Sequence, residues 1–184
     1  MICSKSEKDS IQKCAELLRQ EKVLVLPTDT VYGFSGIIGK TAAEIRRIKG
    51  REETKPFIVL ISSPEELSSV SDDSIPEKLK CFWPGPLTVI VSDKNNPGST
   101  VAVRCPGDEW LRKVIRLCGS PVYSTSVNRS GSPVLGKVSE ILAEFEDEVA
   151  LVVDAGDAKS SVPSTIVKLE KDGWSVIRQG AVKL

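Results

Sequence analysis

The feature that most constrains this chain is a series of short apolar runs, each too brief for a helix and each stopped by proline, glycine or hydroxyl-bearing residues. Val23 to Leu26 ends at Pro27, and Phe57 to Ile61 ends at Ser62-Ser63-Pro64. Leu87 to Val91, Val101 to Arg104 and Val122 to Ser126 repeat the pattern, as do Ala150 to Val153, Thr165 to Leu169 and Trp174 to Ile177. Runs of this length, rich in β-branched residues, predict buried strands.

Between them lie segments with helical spacing. Ile11, Cys14, Ala15 and Leu18 mark a helix over Ser10 to Arg19. Thr41 and Glu44 form a capping-box pair opening a helix that carries Ile45 and Ile48 and stops at Gly50, where a left-handed residue is expected. Ser63, Pro64 and Glu66 repeat the start signal, and a further helical stretch runs from Pro76 to Trp83 into Pro84-Gly85-Pro86. Asp108 caps a helix with Trp110, Leu111, Val114, Ile115 and Cys118 on its apolar stripe, ended by Gly119, and another helix covers Ser139 to Phe145. The last two strands read as a hairpin around Lys171-Asp172-Gly173. Such irregular alternation predicts an α/β (α+β) fold, with helices covering an open, twisted mixed β-sheet. With 184 residues, 40% of them hydrophobic, one domain over 1–184 is expected.

Composition removes several kinds of chemistry. There is no histidine, which excludes Ser-His-Asp and Cys-His nucleophiles, zinc sites of the H-E-x-x-H kind and any imidazole base. Cys3, Cys14, Cys81, Cys105 and Cys118 are scattered, and no C-x-x-C pair supports a disulfide framework or a thiolate metal site. Twenty-five basic and 25 acidic residues cancel, so any polyanion site must be local. No apolar run approaches the roughly 18 residues that a membrane helix needs, and the polar start of the chain lacks a signal-peptide pattern. A cytoplasmic protein without a membrane partner is expected.

The polar clusters share one position, at the ends of apolar strands, where a sheet can present side chains into a common cleft. Pro27-Thr28-Asp29-Thr30-Val31-Tyr32-Gly33 follows the first run; its hydroxyls could hold a small polar ligand, or it could be a proline-initiated turn with Asx-type hydrogen bonds. Lys49-Gly50-Arg51 with Lys55-Pro56 could converge on a triphosphate, or could merely complement a helix dipole. Ser124 and Ser126 share one face of a strand with Asn128 nearby, a pattern that serves a phosphate, a ribose or an ordinary turn. Pro163-Ser164-Thr165 opens a strand and Arg178-Gln179-Gly180 closes one. The glycine-rich phosphate loop G-x-x-x-x-G-K-[ST] is absent.

In order and identity these clusters, together with Pro84-Gly85-Pro86-Leu87-Thr88 and Val103-Arg104-Cys105-Pro106, resemble the YrdC-like family of L-threonylcarbamoyladenylate synthases in its short, single-domain form. The resemblance implies a YrdC-like fold with a concave cationic cleft. It also implies a nucleotidyltransferase that joins L-threonine, bicarbonate and ATP into threonylcarbamoyl-AMP and pyrophosphate, for the threonylcarbamoyladenosine at position 37 of tRNA. Lys49, Arg51, Ser126 and Asn128 match the family's catalytic positions; Arg51, Lys55, Thr100, Ser126 and Arg178 match ATP contacts; Thr30, Arg104, Ser124 and Ser164 match threonine contacts. Magnesium is expected with the nucleotide, with no metal held by the protein alone, and downstream threonylcarbamoyl-transfer enzymes and tRNA are expected partners.

Two departures stand out. Leu60 occupies a position where many relatives carry a histidine that touches threonine, and the chain stops soon after Arg178-Gln179-Gly180, without the longer relatives' extra domain. The competing expectation is a double-stranded RNA- or ribosome-binding module without adenylation activity, which a basic cleft would also serve. Few aromatic residues, 5% of the chain, weigh against it.

Overall fold

The structure, a computed structural model, describes residues 1–50, 56–158 and 162–184. Its strands are β1 (Ile2–Ser4), β2 (Leu24–Leu26), β3 (Gly33–Ile37), β4 (Ile58–Leu60), β5 (Leu87–Ser92), β6 (Thr100–Arg104), β7 (Val122–Ser126), β8 (Leu151–Asp154), β9 (Thr165–Glu170) and β10 (Gly173–Arg178). They form one open mixed sheet in the order β1-β8-β2-β3-β7-β4-β6-β5-β9-β10. Parallel pairs (β1/β8, β2/β8, β4/β6, β5/β9) are mixed with antiparallel ones, and β9 and β10 make the expected hairpin.

The helices are α1 (Ser10–Arg19), α2 (Ala42–Lys49), α3 (Glu77–Lys80), α4 (Glu109–Cys118) and α5 (Val138–Phe145). Alternation along each strand divides the core between the two sheet faces. Leu24, Leu26, Leu151 and Val153 pack with Cys14, Leu18, Leu111 and Ile115 of α1 and α4 on one face. Val25 and Val152 point the other way, onto Ile45 and Ile48 of α2 and Ile141 and Phe145 of α5. On that second face Val59, Val103, Val89 and Val167 pack under residues 64–83. The α1/α4 cluster draws no residue from β5, β6, β9 or β10. The first face is therefore left open beyond β4, and that opening positions the site.

Several boundaries differ from expectation. β3 carries Gly33, Ser35 and Gly36, residues of low strand propensity, and forms because burial between β2 and β7 overrides propensity. The polar start of the chain contributes β1, a short edge strand paired with β8. Thr41 precedes α2 without closing a capping box: its hydroxyl donates to Ile37 O at 3.0 Å, while Glu44 is drawn into an ion pair with Arg47. Residues 64–69 form a 3-10 helix, and the Glu66 carboxylate turns back to accept from Ser62 N at 2.8 Å. The stretch from Pro76 to Trp83 shortens to one α-helical turn, Glu77–Lys80, followed by turns that run into Pro84. Asp108 and Gly119 act as expected, the first accepting from Leu111 N at 3.0 Å and the second ending α4 in the left-handed conformation. None of the five cysteines is in a disulfide; all but Cys81 are buried.

Candidate functional site

Gly50 ends α2 with φ 59°, a backbone that costs a side-chain-bearing residue roughly 1 kcal/mol and glycine little. The turn brings the last residue of the helix, Lys49, under the end of β7. Lys49 is 2% exposed, and its ammonium donates to Ser126 O at 2.5 Å and to Asn128 O and Oδ1 at 2.9 Å each. Ser126 Oγ donates to the same Asn128 Oδ1 at 2.7 Å, and the Asn128 amide nitrogen donates to Arg129 O and Ser132 O. Arg129 in turn donates to Ile48 O and pairs with Glu148, while Ser130 N donates to Lys49 O at 2.7 Å. The end of α2 and the segment after β7 are thus sewn together from both sides.

Beside this junction, on the face that α1 and α4 leave open, lies a cavity of about 290 Å³. Thr30, Arg104, Ser124, Ser126, Ser164 and Arg178 all line it, over an apolar floor that includes Ile58 and Ile166. Cross-strand register sets β7, β4 and β6 side by side beneath it: Ser124 stands opposite Ser35 and Ile58, and Ile58 opposite Ala102. Gly33 faces Ser126 across the β3/β7 pair, and a Cβ there would lie 2.7 Å from Ser124 Oγ. Glycine at 33 leaves that hydroxyl its room.

Arg104 is buried, at 4% exposure, and held from three directions: Nε donates to Gly85 O at 3.1 Å, Nη1 to Thr30 Oγ1 at 3.0 Å and Nη2 to Asp29 Oδ1 at 2.5 Å. Arg178 donates to Ser164 O at 2.8 Å and to Ser164 Oγ at 3.3 Å, and Thr88 Oγ1 lies 2.9 Å from Ser164 Oγ. Although Arg178 is exposed overall, the desolvation of its guanidinium beside Ser164, then the charge of Arg104, pulls it below its ordinary value. Two cations thus share a small space, where an anion would relieve their repulsion.

The turn over residues 27–32 is organised by Thr28 rather than Asp29. Thr28 Oγ1 accepts from Thr30 N at 3.0 Å and Val31 N at 3.2 Å and donates to Val31 O at 2.7 Å, while the Asp29 carboxylate is taken by Arg104. Asp29 and Thr88 belong to the sequence clusters, yet the sequence assigns neither a role; for Asp29 the usable signal is a lone acidic residue between hydroxyls, with a cation due on a neighbouring strand. On the far side of the turn a larger cavity, about 800 Å³, opens at the carboxyl ends of β1, β8 and β2, with Asp29 and Trp110 in its wall.

Not every candidate joins the cluster. Thr100 is exposed at the start of β6 and does not line the cavity. Arg51 and Lys55 lie outside the described residues. Leu60 is 1% exposed and packs into the α1/α4 cluster. Among the described residues no group of three or more His, Cys, Asp or Glu could hold a metal ion, and no helix is long and apolar enough to cross a membrane.

An open mixed sheet that gathers a buried arginine, an exposed one and several hydroxyls around a small cavity defines a class of ligand-binding α/β proteins, and comparison narrows it. The family model for Sua5, YciO and YrdC proteins, described as "Telomere recombination", matches residues 16–180. The chain belongs to this family. It is 33% identical over 186 residues to the threonylcarbamoyl-AMP synthase of Bacillus subtilis, covering 94% of this chain and 54% of that one. Against the threonylcarbamoyl-AMP synthase of Pyrococcus abyssi it is 30% identical, covering 97% and 56%. The chain thus spans about half the length of these curated relatives. Among solved structures, P. abyssi Sua5 complexed with L-threonine superposes with a TM-score of 0.88 at 30% identity, over 98% of this chain and 57% of that one. Escherichia coli YciO superposes with a TM-score of 0.85 at 26% identity, over 100% and 95%.

Proposed function

We propose that this protein is an L-threonylcarbamoyladenylate synthase, a nucleotidyltransferase that forms threonylcarbamoyl-AMP and pyrophosphate from L-threonine, bicarbonate and ATP. The observation that carries the reading is the junction of Lys49 with Ser126 and Asn128, beside a cavity where Thr30, Arg104, Ser124, Ser164 and Arg178 converge. The named activity of the curated relatives and the L-threonine complex of P. abyssi Sua5 support it.

The chemistry fits a chain without histidine. The amine of threonine adds to the carbon of bicarbonate and water leaves, giving a carbamate. A carbamate oxygen then attacks the α-phosphorus, and the bond to the bridging oxygen breaks with its electron pair going to pyrophosphate. The nucleophile is already an anion, so no side chain need take a proton at that step. What the protein must supply is position and positive charge, each well-aimed donor contributing about 3 kcal/mol.

Three of the five N–H donors of Arg104 are engaged, leaving two for the threonine carboxylate, with the Thr30, Ser124 and Ser164 hydroxyls around it. In this reading Ser126 and Arg178 contact ATP together with Arg51 and Lys55, and Thr100 does so only if the nucleotide reaches beyond the cavity to the exposed start of β6. Lys49, whose ammonium donates to Ser126 and Asn128, contributes charge at a distance and holds both residues in place. Magnesium would arrive on the triphosphate, since the described residues offer no carboxylate cage. In this reading residues 1–184 are one catalytic domain with a concave cationic cleft. It works in the cytoplasm, and its product serves threonylcarbamoyl transfer to tRNA.

Pyrophosphate release is the test. Turnover is expected only when ATP, L-threonine and bicarbonate are all present. Purified protein that releases no pyrophosphate under those conditions overturns the proposal.

A further inference from the structure

The proposed threonine seat depends on how Arg104 is aimed, and that aim is set from outside the seat. Asp29 does not line the smaller cavity; it lies in the wall of the larger one and reaches through the turn to Arg104. Its Oδ1 accepts from Nη2 at 2.5 Å, which fixes the plane of a guanidinium whose Nη1 donates to Thr30 Oγ1. Thr30 is tied in turn to Thr28, 3.0 Å between hydroxyl oxygens. One carboxylate therefore orients both the cation and a hydroxyl of the seat. Among the described residues it is the one carboxylate paired with either cavity arginine.

We infer that Asp29 is a positioning residue for threonine, acting through Arg104 and Thr30 without touching the substrate. This rests on the synthase reading of the site. A rival role makes the opposite prediction. If Asp29 only tempered the charge of Arg104 and Arg178, removing it would leave a more positive cavity and threonine would bind more tightly. If it positions, removal frees the guanidinium to turn and threonine binds more weakly.

Calorimetric titration of L-threonine separates the two, with ATP titrated into the same samples. Asp29→Asn is expected to weaken threonine binding about tenfold or more, with ATP binding little changed and turnover losing KM rather than kcat. Gly107→Ala provides a second variant that alters no charge. A Cβ there would stand 3.0 Å from Asp29 Oδ2 and press the carboxylate aside by tenths of an ångström, weakening threonine by about threefold. Should Asp29→Asn not fold, Gly107→Ala decides. Wild-type protein that binds threonine while the variants bind it equally or more tightly overturns the inference alone. Wild-type protein that takes up no threonine overturns the reading of the site, and this inference with it.

Discussion

The ammonium of Lys49 donates to both the main-chain and the side-chain oxygen of Asn128, 2.9 Å each, across 79 positions of sequence. A buried cation with three oxygen partners joins the end of a helix to the segment following a strand, so removing it should cost both structure and chemistry. Lys49→Met keeps the length of the side chain and deletes the charge, taking an ammonium donor from Ser126 O and Asn128 O, while Asn128 Oδ1 keeps Ser126 Oγ. We expect a loss of about 3 kcal/mol in denaturant unfolding and a fall in pyrophosphate release of about 100-fold or more. A variant with wild-type midpoint and rate would show that the junction is incidental.

Gly33 provides a test that adds an atom instead of removing one. Its missing Cβ would lie 2.7 Å from Ser124 Oγ, and the atom it meets ends a rotatable side chain. Gly33→Ala should therefore fold, at a cost of about 1 kcal/mol, while turning the Ser124 hydroxyl away from the cavity. In steady-state kinetics the expected result is a raised KM for L-threonine with KM for ATP unchanged. Equal effects on both substrates would place Ser124 elsewhere in the mechanism.

Whether a feature of the fold or the site can be read from the sequence depends on whether its cause is local. β7 (Val122–Ser126) and α4 with its Asp108 cap and Gly119 stop are readable because their signals are local: an apolar run, an acidic cap, a glycine with φ 79°. β3 is not readable, because Gly-Phe-Ser-Gly-Ile becomes a strand only by lying between β2 and β7. Gly50 is legible as a left-handed stop, yet its consequence, Lys49 turned under Ser126 and Asn128, depends on long-range pairing that no local pattern encodes. The family resemblance of the ordered clusters supplies that grouping. It does not supply Asp29, whose partner Arg104 sits 75 positions away.

A pH prediction comes from the network behind the junction. Hydrogen bonding to Arg129 holds the Glu148 carboxyl below the usual carboxylate range, with Arg47 adding to the effect. A carboxyl depressed in the folded state stabilises fully above its unfolded value, about 4.3, and loses that contribution as pH falls through the folded value. Stability should therefore decline below about pH 4 more steeply in the wild type than in Glu148→Gln, which has no charge to lose. Parallel acid limbs for the two proteins in thermal melts would show that the Arg129 pair contributes nothing to folding.

The thiols predict a reactivity pattern that reports on the core as a whole. Burial pushes Cys14 and Cys105 up to about 12 and raises Cys3 and Cys118, whereas Cys81 is exposed at the end of α3. Thiolate is the attacking species, so at neutral pH the buried four are both shielded and protonated. With a thiol-disulfide reagent, native protein should titrate one group quickly, and Cys81→Ser should remove that phase. All five should react once the chain is unfolded. Because Cys14 and Cys118 belong to the cluster under α1 and α4 and Cys105 to the cluster on the opposite face, the slow phases measure the opening of the two layers separately. Rapid reaction of Cys105 in the native protein would mean that the sheet is not covered on the face away from the cavity.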